Sequence, residues 1–133
     1  DLDGSDNWEY ICSIDPEGTK DAATNYPIFN FANTYGTTAG LTGTDYENGW
    51  YVPSIAELCE VYKNKEAIQT SLTKAIGFTI VPDKKYTDYY WSSSPEASHS
   101  HLAYVVDLYD GKMYSSQKHN TYYVFVLHAL TAE

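Results

Sequence analysis

All four histidines of the chain lie in its last third, at His99, His101, His119 and His128. One residue separates His99 from His101, and on a strand this spacing places both rings on one face, where they could bind a metal ion. No third ligand stands at a fixed spacing from these two. We therefore favour exposed polar side chains in a loop, and we predict neither a metal site nor a cofactor.

Motifs for nucleophilic or acid–base catalysis are missing from the sequence. Ser92, Ser93 and Ser94 are consecutive, but no Gly-x-Ser-x-Gly elbow surrounds any serine. Carboxylate pairs for glycoside hydrolysis can be drawn from the 18 acidic residues in so many ways that no pair is distinguished. Cys12 and Cys59 share no short metal-binding spacing and are either a disulfide or two buried thiols. The sequence therefore predicts a protein that is not an enzyme.

Aromatic residues could instead stack on sugar rings, and the candidates are Tyr89, Tyr90, Trp91 and Trp50. Segments that contain Gly, Ser and Pro bound them, as at the ends of strands. Aromatic side chains in such places are more often anchors of the core than ligand contacts. We predict core anchors, with sugar stacking as the alternative.

Length and charge limit the fold and the partners. A chain of 133 residues is the size of one domain, so we expect a single domain over residues 1–133. Eighteen acidic side chains stand against eight lysines, without any arginine, and this balance disfavours nucleic acids and anionic membranes as partners. No apolar run is long enough to span a membrane, and the first four residues do not resemble a signal peptide. The 14 tyrosines are typical of recognition surfaces.

The elements that must position these residues are helical in the middle of the chain. Alternating apolar residues predict an N-terminal strand over 8–14, which a turn at 15–18 ends. Pro27 begins a short helix whose apolar face contains Ile28, Phe31, Ala32 and Tyr35 and which Gly36 stops. Residues 37–49 have the composition of a surface loop. A capping box at Ser54 and Glu57 starts another helix, with Ile55, Leu58, Cys59 and Tyr62 on one face.

A second helical stretch ends at Gly77, and the two stretches are either separate helices or one broken helix. The pattern then changes to strands over 78–81, 89–92, 103–109, 113–115 and 122–130, with a turn at Asp110 and Gly111. We therefore predict an α+β domain in which two or three short helices pack on antiparallel, twisted strands.

The stretch from Ser98 to His128 differs from an ordinary surface strand. It mixes Ser, His, Asp, Tyr, Asn, Thr and Phe without regular alternation, while Val106, Leu108 and Val124 keep an aliphatic frame. Such a stretch is either a fixed frame that holds changeable side chains or a solvated sheet rim.

Four blocks resemble a known family. Residues 49–58 (Gly-Trp-Tyr-Val-Pro-Ser-Ile-Ala-Glu-Leu) are similar to the opening signature of the Lcl C-terminal domain family. Residues 90–94 resemble its Tyr-Trp-Ser-Ser-Ser/Thr block, residues 103–111 its strand pair, and residues 122–130 its closing block. The resemblance covers nearly the whole chain. It implies a C-type-lectin-like fold of the formylglycine-generating-enzyme type.

This family includes the variable proteins of diversity-generating retroelements, in which adenine-directed mutagenesis rewrites a C-terminal segment. The resemblance implies that such mutagenesis reaches only certain residue types. Within residues 98–128 the exceptions to those types are Lys112, Met113, Gln117 and Lys118. The diversified or ligand-facing residues it implies are Ser98, His99, His101, Asp107, Tyr109, Asp110, Tyr114, Ser115, Ser116, His119, Asn120, Thr121, Phe125 and His128. Val106, Leu108, Tyr122 and Val124 would be scaffold.

The sequence lacks several motifs of proteins with related folds, and their absence argues against the functions of those proteins. The calcium-dependent sugar motifs of animal C-type lectins, Glu-Pro-Asn and Trp-Asn-Asp, are absent, as is a counterpart of the paired catalytic cysteines of formylglycine-generating enzymes. His128 stands where the family often has arginine, and it is itself a residue type that the mutagenesis reaches.

We therefore expect a monomeric binding module that displays changeable residues to a protein or cell-surface ligand, on a bacterial or phage-encoded protein that is secreted or surface-anchored. A fixed carbohydrate-binding lectin that uses Trp50 or Trp91 is the main rival. An enzyme and a structural role in a larger surface protein are the others.

Overall fold

The N-terminal half of the protein is helical. A computed structural model describes residues 2–76, 89–95, 102–118, 120 and 122–128. The helices are α1 (Asn7–Ile14), α2 (Ala22–Asn25), α3 (Pro27–Asn33), α4 (Tyr35–Thr38), α5 (Ile55–Lys63) and α6 (Lys65–Ile76), and a 3-10 turn spans Gly18–Asp21. Six α-helices in the described part exceed the two or three that we predicted.

The first element is helix α1, so the predicted N-terminal strand is wrong. Trp8 and Ile11 lie one helical turn apart and pack on the same cluster, and the Trp8 ring stacks on Phe29 with centroids 5.6 Å apart. Tyr10 and Ile14 point outward instead and are more than 60% exposed. The apolar residues of this segment fit both a period of two and a helical period, and packing against α3 selects the helix.

Helix α3 confirms the helix that we predicted at Pro27, although it ends at Asn33. Phe29 and Ala32 are its buried residues, whereas Phe31 is 42% exposed. Gly36 does not end this helix but lies buried inside α4. A Cβ at Gly36 would overlap the backbone of Glu47, so this glycine permits close packing of the loop that follows.

Helices α5 and α6 are two separate helices that meet at Asn64. The predicted capping box is present, since Ser54 Oγ accepts a hydrogen bond from Glu57 N–H and the Glu57 carboxylate accepts one from Ser54 N–H. Leu58 and Val61 are the buried residues of α5.

Two sheets form the rest of the described structure, which confirms the α+β class. Strands β2 (Tyr89–Pro95), β3 (Leu102–Asp107), β4 (Met113–Gln117) and β5 (Tyr123–Val124) make a sheet with the order β4-β3-β2-β5. Strands β1 (Trp50–Tyr51) and β6 (Leu127–His128) form a two-stranded antiparallel sheet. The larger sheet is mixed rather than purely antiparallel, because β5 runs parallel to β2. The predicted strand at 78–81 lies outside the described residues.

The turn between β3 and β4 has the position that we predicted. Gly111 adopts a φ of +75°, and the ring of Tyr62 occupies the place that a Cβ would need. The carboxylate of Asp107 accepts a hydrogen bond from Tyr109 N–H at 2.8 Å, and its carbonyl accepts one from Gly111 N–H at 2.8 Å. The side chain and the backbone of Asp107 therefore both stabilise the turn.

Side chains pack on both faces of the four-stranded sheet. On one face Tyr90, Val106 and Leu108 pack with Leu58 and Val61 of α5. On the other face Trp91, Ala103 and Val105 pack with Ile28 of α3. Helices cover less of this second face, and tyrosine side chains cover the rest of it.

Candidate functional site

A network of hydrogen bonds around Glu57 joins the N-terminal segment to α5. Its carboxylate accepts hydrogen bonds from Gly4 N–H at 2.6 Å, from Ser54 N–H at 3.0 Å and from the Tyr51 hydroxyl at 2.7 Å. Burial, and after it this hydrogen bond to Glu57, raises the pKa of the Tyr51 hydroxyl well above its usual range. The network fixes the start of α5 at the edge of the core.

The serines of β2 extend this network and are buried. Ser94 Oγ accepts a hydrogen bond from Ile55 N–H at 3.0 Å, and Ser93 N–H donates to the Pro53 carbonyl at 2.7 Å. Ser93 Oγ accepts from Asn7 Nδ2 at 2.6 Å, and Ser92 Oγ donates to the Tyr104 carbonyl at 2.7 Å. The signature blocks at 49–58 and 90–94 therefore bind each other and serve the scaffold.

A tyrosine-rich surface, which we call the tyrosine face, covers the sheet on the side of α3. Tyr114 on β4 pairs with Val105, which pairs with Trp91, and side chains at paired positions share a face. Ring contacts extend this row across the sheet, with centroid distances of 5.5 Å from Tyr114 to Tyr89 and 5.2 Å from Tyr89 to Tyr122. The members of the tyrosine face are Tyr89, Tyr114, Ser116, Asn120 and Tyr122.

Hydrogen bonds order the polar end of the tyrosine face. Ser116 Oγ and the Tyr122 hydroxyl lie 3.0 Å apart, and Asn120 Nδ2 donates to Ser116 Oγ at 3.0 Å. The same amide lies 3.4 Å from the Tyr122 hydroxyl, whose ring packs on Trp91 at 5.1 Å. Packing on Trp91 therefore positions the Tyr122 ring, and the Tyr122 hydroxyl helps to position the more exposed Asn120 side chain.

Six of the predicted ligand-facing residues are exposed or half-buried within residues 109–120, and three of them lie on the tyrosine face. Tyr114 and Asn120 are exposed and Ser116 is half-buried on the tyrosine face, whereas Ser115 is exposed on the opposite side of β4. Tyr109 and Asp110 are exposed in the turn between β3 and β4, where the Asp110 carboxylate accepts a hydrogen bond from Lys112 N–H. The structure therefore brings Tyr114, Ser116 and Asn120 together on the tyrosine face.

Three other predicted residues contact the protein itself, and the buried Asp107 is not the ligand-facing residue that we predicted. Asp107 is only 2% exposed, because its carboxylate holds the turn. Phe125 is half-buried and packs against the cluster on the α5 side, including the ring of Tyr90 at 6.2 Å. His128 is also half-buried. Five predicted residues lie outside the described part of the chain: Ser98, His99, His101, His119 and Thr121.

His128 packs against the loop at 39–49. Its Nε2 donates to the Asn48 carbonyl at 2.8 Å, because a carbonyl can only accept. Its ring lies 5.0 Å from Trp50 and 5.4 Å from Tyr46, both nearly edge to face. Its buried Nδ1 has no hydrogen-bond partner among the described residues. His128 therefore joins β6 to this loop.

The aromatic residues divide between core and surface. Tyr90 and Trp91 are 5% and 4% exposed, which confirms that they anchor the core and leaves the Trp91 ring without a free surface for a sugar. Trp50 is half-buried and donates from its indole N–H to the Tyr46 carbonyl. Tyr89 and Tyr122 belong to the tyrosine face, although neither was among the predicted ligand-facing residues. Tyr89 stands two residues before Trp91 and therefore shares its side of the strand.

The described residues also bear on metal binding, on the state of the cysteines and on membrane-spanning helices. There, no group of three or more His, Cys, Asp or Glu side chains could hold a metal ion. Cys12 and Cys59 are both free thiols. Within the same ranges, none of the helices has the length and apolar character needed to cross a membrane.

The excess of acidic residues lies in the N-terminal half of the sequence. Eleven of the 18 acidic residues but only one of the eight lysines lie in residues 1–62, and that Lys20 pairs with Glu17 at 2.7 Å. Residues 63–133 contain seven acidic residues and seven lysines. All five side chains of the tyrosine face are uncharged, and Lys118 stands just past the end of β4. Electrostatic attraction is therefore a minor part of what this face offers to a ligand.

Comparison with known families decides the relationship that the signature blocks indicated. Residues 7–128 match the family model of the Lcl C-terminal domain. This chain belongs to the Lcl C-terminal domain family. No curated protein and no solved structure matches it. In this Lcl C-terminal domain the signature blocks are the hydrogen-bonded scaffold described above.

Proposed function

We propose that this Lcl C-terminal domain is a non-enzymatic binding module with a C-type-lectin-like fold, and that the tyrosine face contacts the ligand. The observation that carries the proposal is the separation of two sets of side chains. Glu57, Ser93 and Ser94 form the scaffold network between α5, β2 and the N-terminal segment, whereas Tyr114 and Asn120 lie on the tyrosine face. Ligand contacts can therefore change while the scaffold stays the same.

The composition of the face suits recognition. Tyrosine offers a large contact area and loses few rotors on binding, and Ser and Asn add adaptable hydrogen bonds. Tyr114 is 41% exposed at one end of the face, and Tyr109, in the neighbouring turn, is equally exposed. A ligand can reach both rings.

We further propose that the domain is a variable protein of a diversity-generating retroelement, and that it binds a protein or cell-surface ligand as a monomer. Tyr109, Asp110, Tyr114, Ser115, Ser116 and Asn120 are exposed or half-exposed positions whose residue types adenine-directed mutagenesis reaches. A secreted or surface-anchored bacterial or phage protein is the setting in which such variation would be useful. The genomic locus tests this part: a near-copy of the codons for 98–128 that differs only at adenines, beside a reverse transcriptase gene, would support it, and an isolated gene would refute it.

Binding itself is tested by selection. The domain is panned against a phage-displayed library of random dodecapeptides and against a glycan array, and each ligand obtained is measured against a triple variant with Tyr114, Ser116 and Asn120 changed to alanine. We expect the triple variant to keep its far-UV circular dichroism and to lose the selected ligands. If the ligands bind the triple variant as well as the parent, the tyrosine face is not the binding site.

A fixed carbohydrate-binding domain is the second candidate, and one observation favours it. Trp50 lies in an aromatic group with Tyr35 at 4.8 Å and His128 at 5.0 Å, on the smaller sheet rather than on the tyrosine face. This function predicts that Trp50→Ala abolishes glycan binding, whereas the triple variant retains it.

A further inference from the structure

Strand β4 forms one edge of the four-stranded sheet, whose order is β4-β3-β2-β5. Strand β3 pairs with one side of β4, and within the described residues no strand pairs with its other side. Four of the five residues of β4 are exposed. An exposed edge strand presents backbone donors and acceptors to which another strand can pair.

The register between β3 and β4 shows which backbone groups of β4 face outward. Asp107 N–H donates to the Lys112 carbonyl at 2.9 Å, so these two residues form a hydrogen-bonded pair of the antiparallel ladder. Hydrogen-bonded pairs alternate with pairs whose backbone groups point away from each other. Met113, Ser115 and Gln117 lie at pairs of the second kind. Their N–H and carbonyl groups therefore point to the free edge.

Most of these outward groups can bind a ligand. The Gln117 carbonyl accepts a hydrogen bond from Asn120 N–H at 3.0 Å. In the part of the chain that the structure describes, the N–H and carbonyl groups of Met113 and Ser115 and the Gln117 N–H have no hydrogen-bond partner. Donors and acceptors that recur at every second residue, roughly 7 Å apart, match the backbone of an extended polypeptide.

Lysines stand at both ends of this edge. Lys112 precedes β4 and Lys118 follows it, and both are exposed. Among the residues that the structure describes, neither lysine forms an ion pair. Asp110 is the one acidic residue in 109–118, so this segment is positive in a chain whose net charge is -10. Acidic residues at the two ends of an added strand, about 20 Å apart, would match the two lysines.

The same lysines disfavour a second copy of this chain as the occupant of the edge. When two β4 strands pair antiparallel along their whole length, Ser115 lies opposite Ser115, and Lys112 lies opposite Lys118. Like charges at directly opposite positions destabilise strand pairing, and lysines at an edge protect proteins against such pairing. An acidic segment of another protein has no such repulsion.

We infer that the free edge of β4 binds an extended polypeptide segment with acidic ends as an additional antiparallel strand. The inference rests on the proposed function, because alternate side chains of the added strand lie beside Tyr114 and Ser116 of the tyrosine face. Backbone hydrogen bonds provide affinity for an extended segment, and the tyrosine face selects among its side chains. The backbone contacts therefore stay the same when the residues of the face change.

The probe is the heptapeptide Glu-Thr-Val-Thr-Val-Thr-Glu with blocked ends. In the inferred register its threonines bond to β4, and its valines lie beside Tyr114 and Ser116. Two singly N-methylated versions are the matched probes. Methylation of the central threonine removes the N–H that bonds to the Ser115 carbonyl, whereas methylation of the valine after it removes an N–H that faces away. A version with lysine in place of both glutamates tests the charges.

Titration and hydrogen exchange, followed by NMR on the ¹⁵N-labelled domain, measure binding. We expect the probe to slow exchange at the amides of Met113, Ser115 and Gln117, which face the edge. Methylation of the central threonine should weaken binding at least about tenfold, because a hydrogen bond is lost and the methyl group meets β4. Methylation of the valine should change binding by less than about threefold, and the lysine version should bind at least about threefold more weakly.

A matched pair of variants tests the same contact from the side of the domain. Ser115→Pro removes the outward N–H and leaves the hydrogen bonds between β3 and β4, since proline is tolerated on an edge strand whose N–H faces solvent. Ser115→Ala loses the same hydroxyl but keeps the N–H. The proline variant should weaken the probe at least about tenfold and the alanine variant less than about twofold. Far-UV circular dichroism checks that both variants are folded.

Failure of the heptapeptide to bind would overturn the inference, as would equal binding of the two methylated versions or a larger loss on methylation of the valine. A dimer in analytical ultracentrifugation that Ser115→Pro dissociates would also overturn it, because a second copy would then occupy the edge. If ligands selected by panning still depend on Tyr114, Ser116 and Asn120 in these cases, the proposed function stands. If no selected ligand depends on them, the proposed function is wrong as well.

Discussion

The carboxylate of Glu57 is the most informative single group to remove from the scaffold. Glu57→Ala takes away the acceptor of three hydrogen bonds, from Gly4 N–H, Ser54 N–H and the Tyr51 hydroxyl. A hydrogen bond to a charged group contributes about 1.5–3 kcal/mol, but these donors are only partly buried, and water can replace part of the loss. We expect the free energy of unfolding to fall by about 2–4 kcal/mol, which for a chain of this size lowers Tm by roughly 6–12 °C.

Glu60→Ala is the matched control, one helical turn further along α5. It removes the same side chain and gains the same helix propensity, but the carboxylate that it removes pairs with Lys63, and both partners are about two-thirds exposed. An exposed pair of this kind contributes little to stability, so Tm should fall by less than about 2 °C. Urea and thermal unfolding followed by circular dichroism measure both variants. If the Glu57 variant loses no more stability than the Glu60 variant, the network does not hold the fold.

Three further predictions concern the same scaffold and the tyrosine face. The folded-state pKa of the Tyr51 hydroxyl is raised, so its contribution to the free energy of unfolding is fully present below pH 10 and is lost as the pH rises beyond that value. Tyr51→Phe should therefore make the stability measured in urea less dependent on pH between 9 and 11. An unchanged pH dependence would contradict this. Gly111→Ala should cost about 2 kcal/mol or more, because a side chain there is strained at positive φ and overlaps Tyr62; a urea midpoint equal to that of the parent would show that the turn is not restrictive. Tyr114→Ala should cost less than about 1.5 kcal/mol, because it loses one edge-to-face ring contact and little burial, and a collapse of Tm would make Tyr114 a core residue.

Local signals in the sequence predicted some elements well. The capping box at Ser54 and Glu57 and the turn at Gly111 depend on side chains and backbone angles within a few residues, so the sequence pattern contains their cause. Val106 and Leu108 belong to a stretch without regular alternation of apolar and polar residues, yet both are buried as predicted.

Predictions failed where packing between distant segments decides. The pattern of α1 fits both a strand and a helix, and the packing of Trp8 and Ile11 against the cluster that contains Phe29 makes the helix preferable. The family resemblance placed Asp107 among the ligand-facing residues, but its carboxylate is used inside the turn that follows. The tyrosine face was missed as a unit because Tyr89 and Tyr114 are 25 residues apart in the sequence and meet only through strand pairing.

The central claim is that the ligand-contacting side chains can be rewritten without loss of the fold. The most direct measurement randomises Tyr114, Ser115, Ser116 and Asn120 together in a yeast-display library, and scores each member for folding by protease resistance and for binding by panning. The account predicts that most members stay folded and that ligands differ among them. A library in which most members unfold, or in which every folded member keeps one ligand, would contradict it.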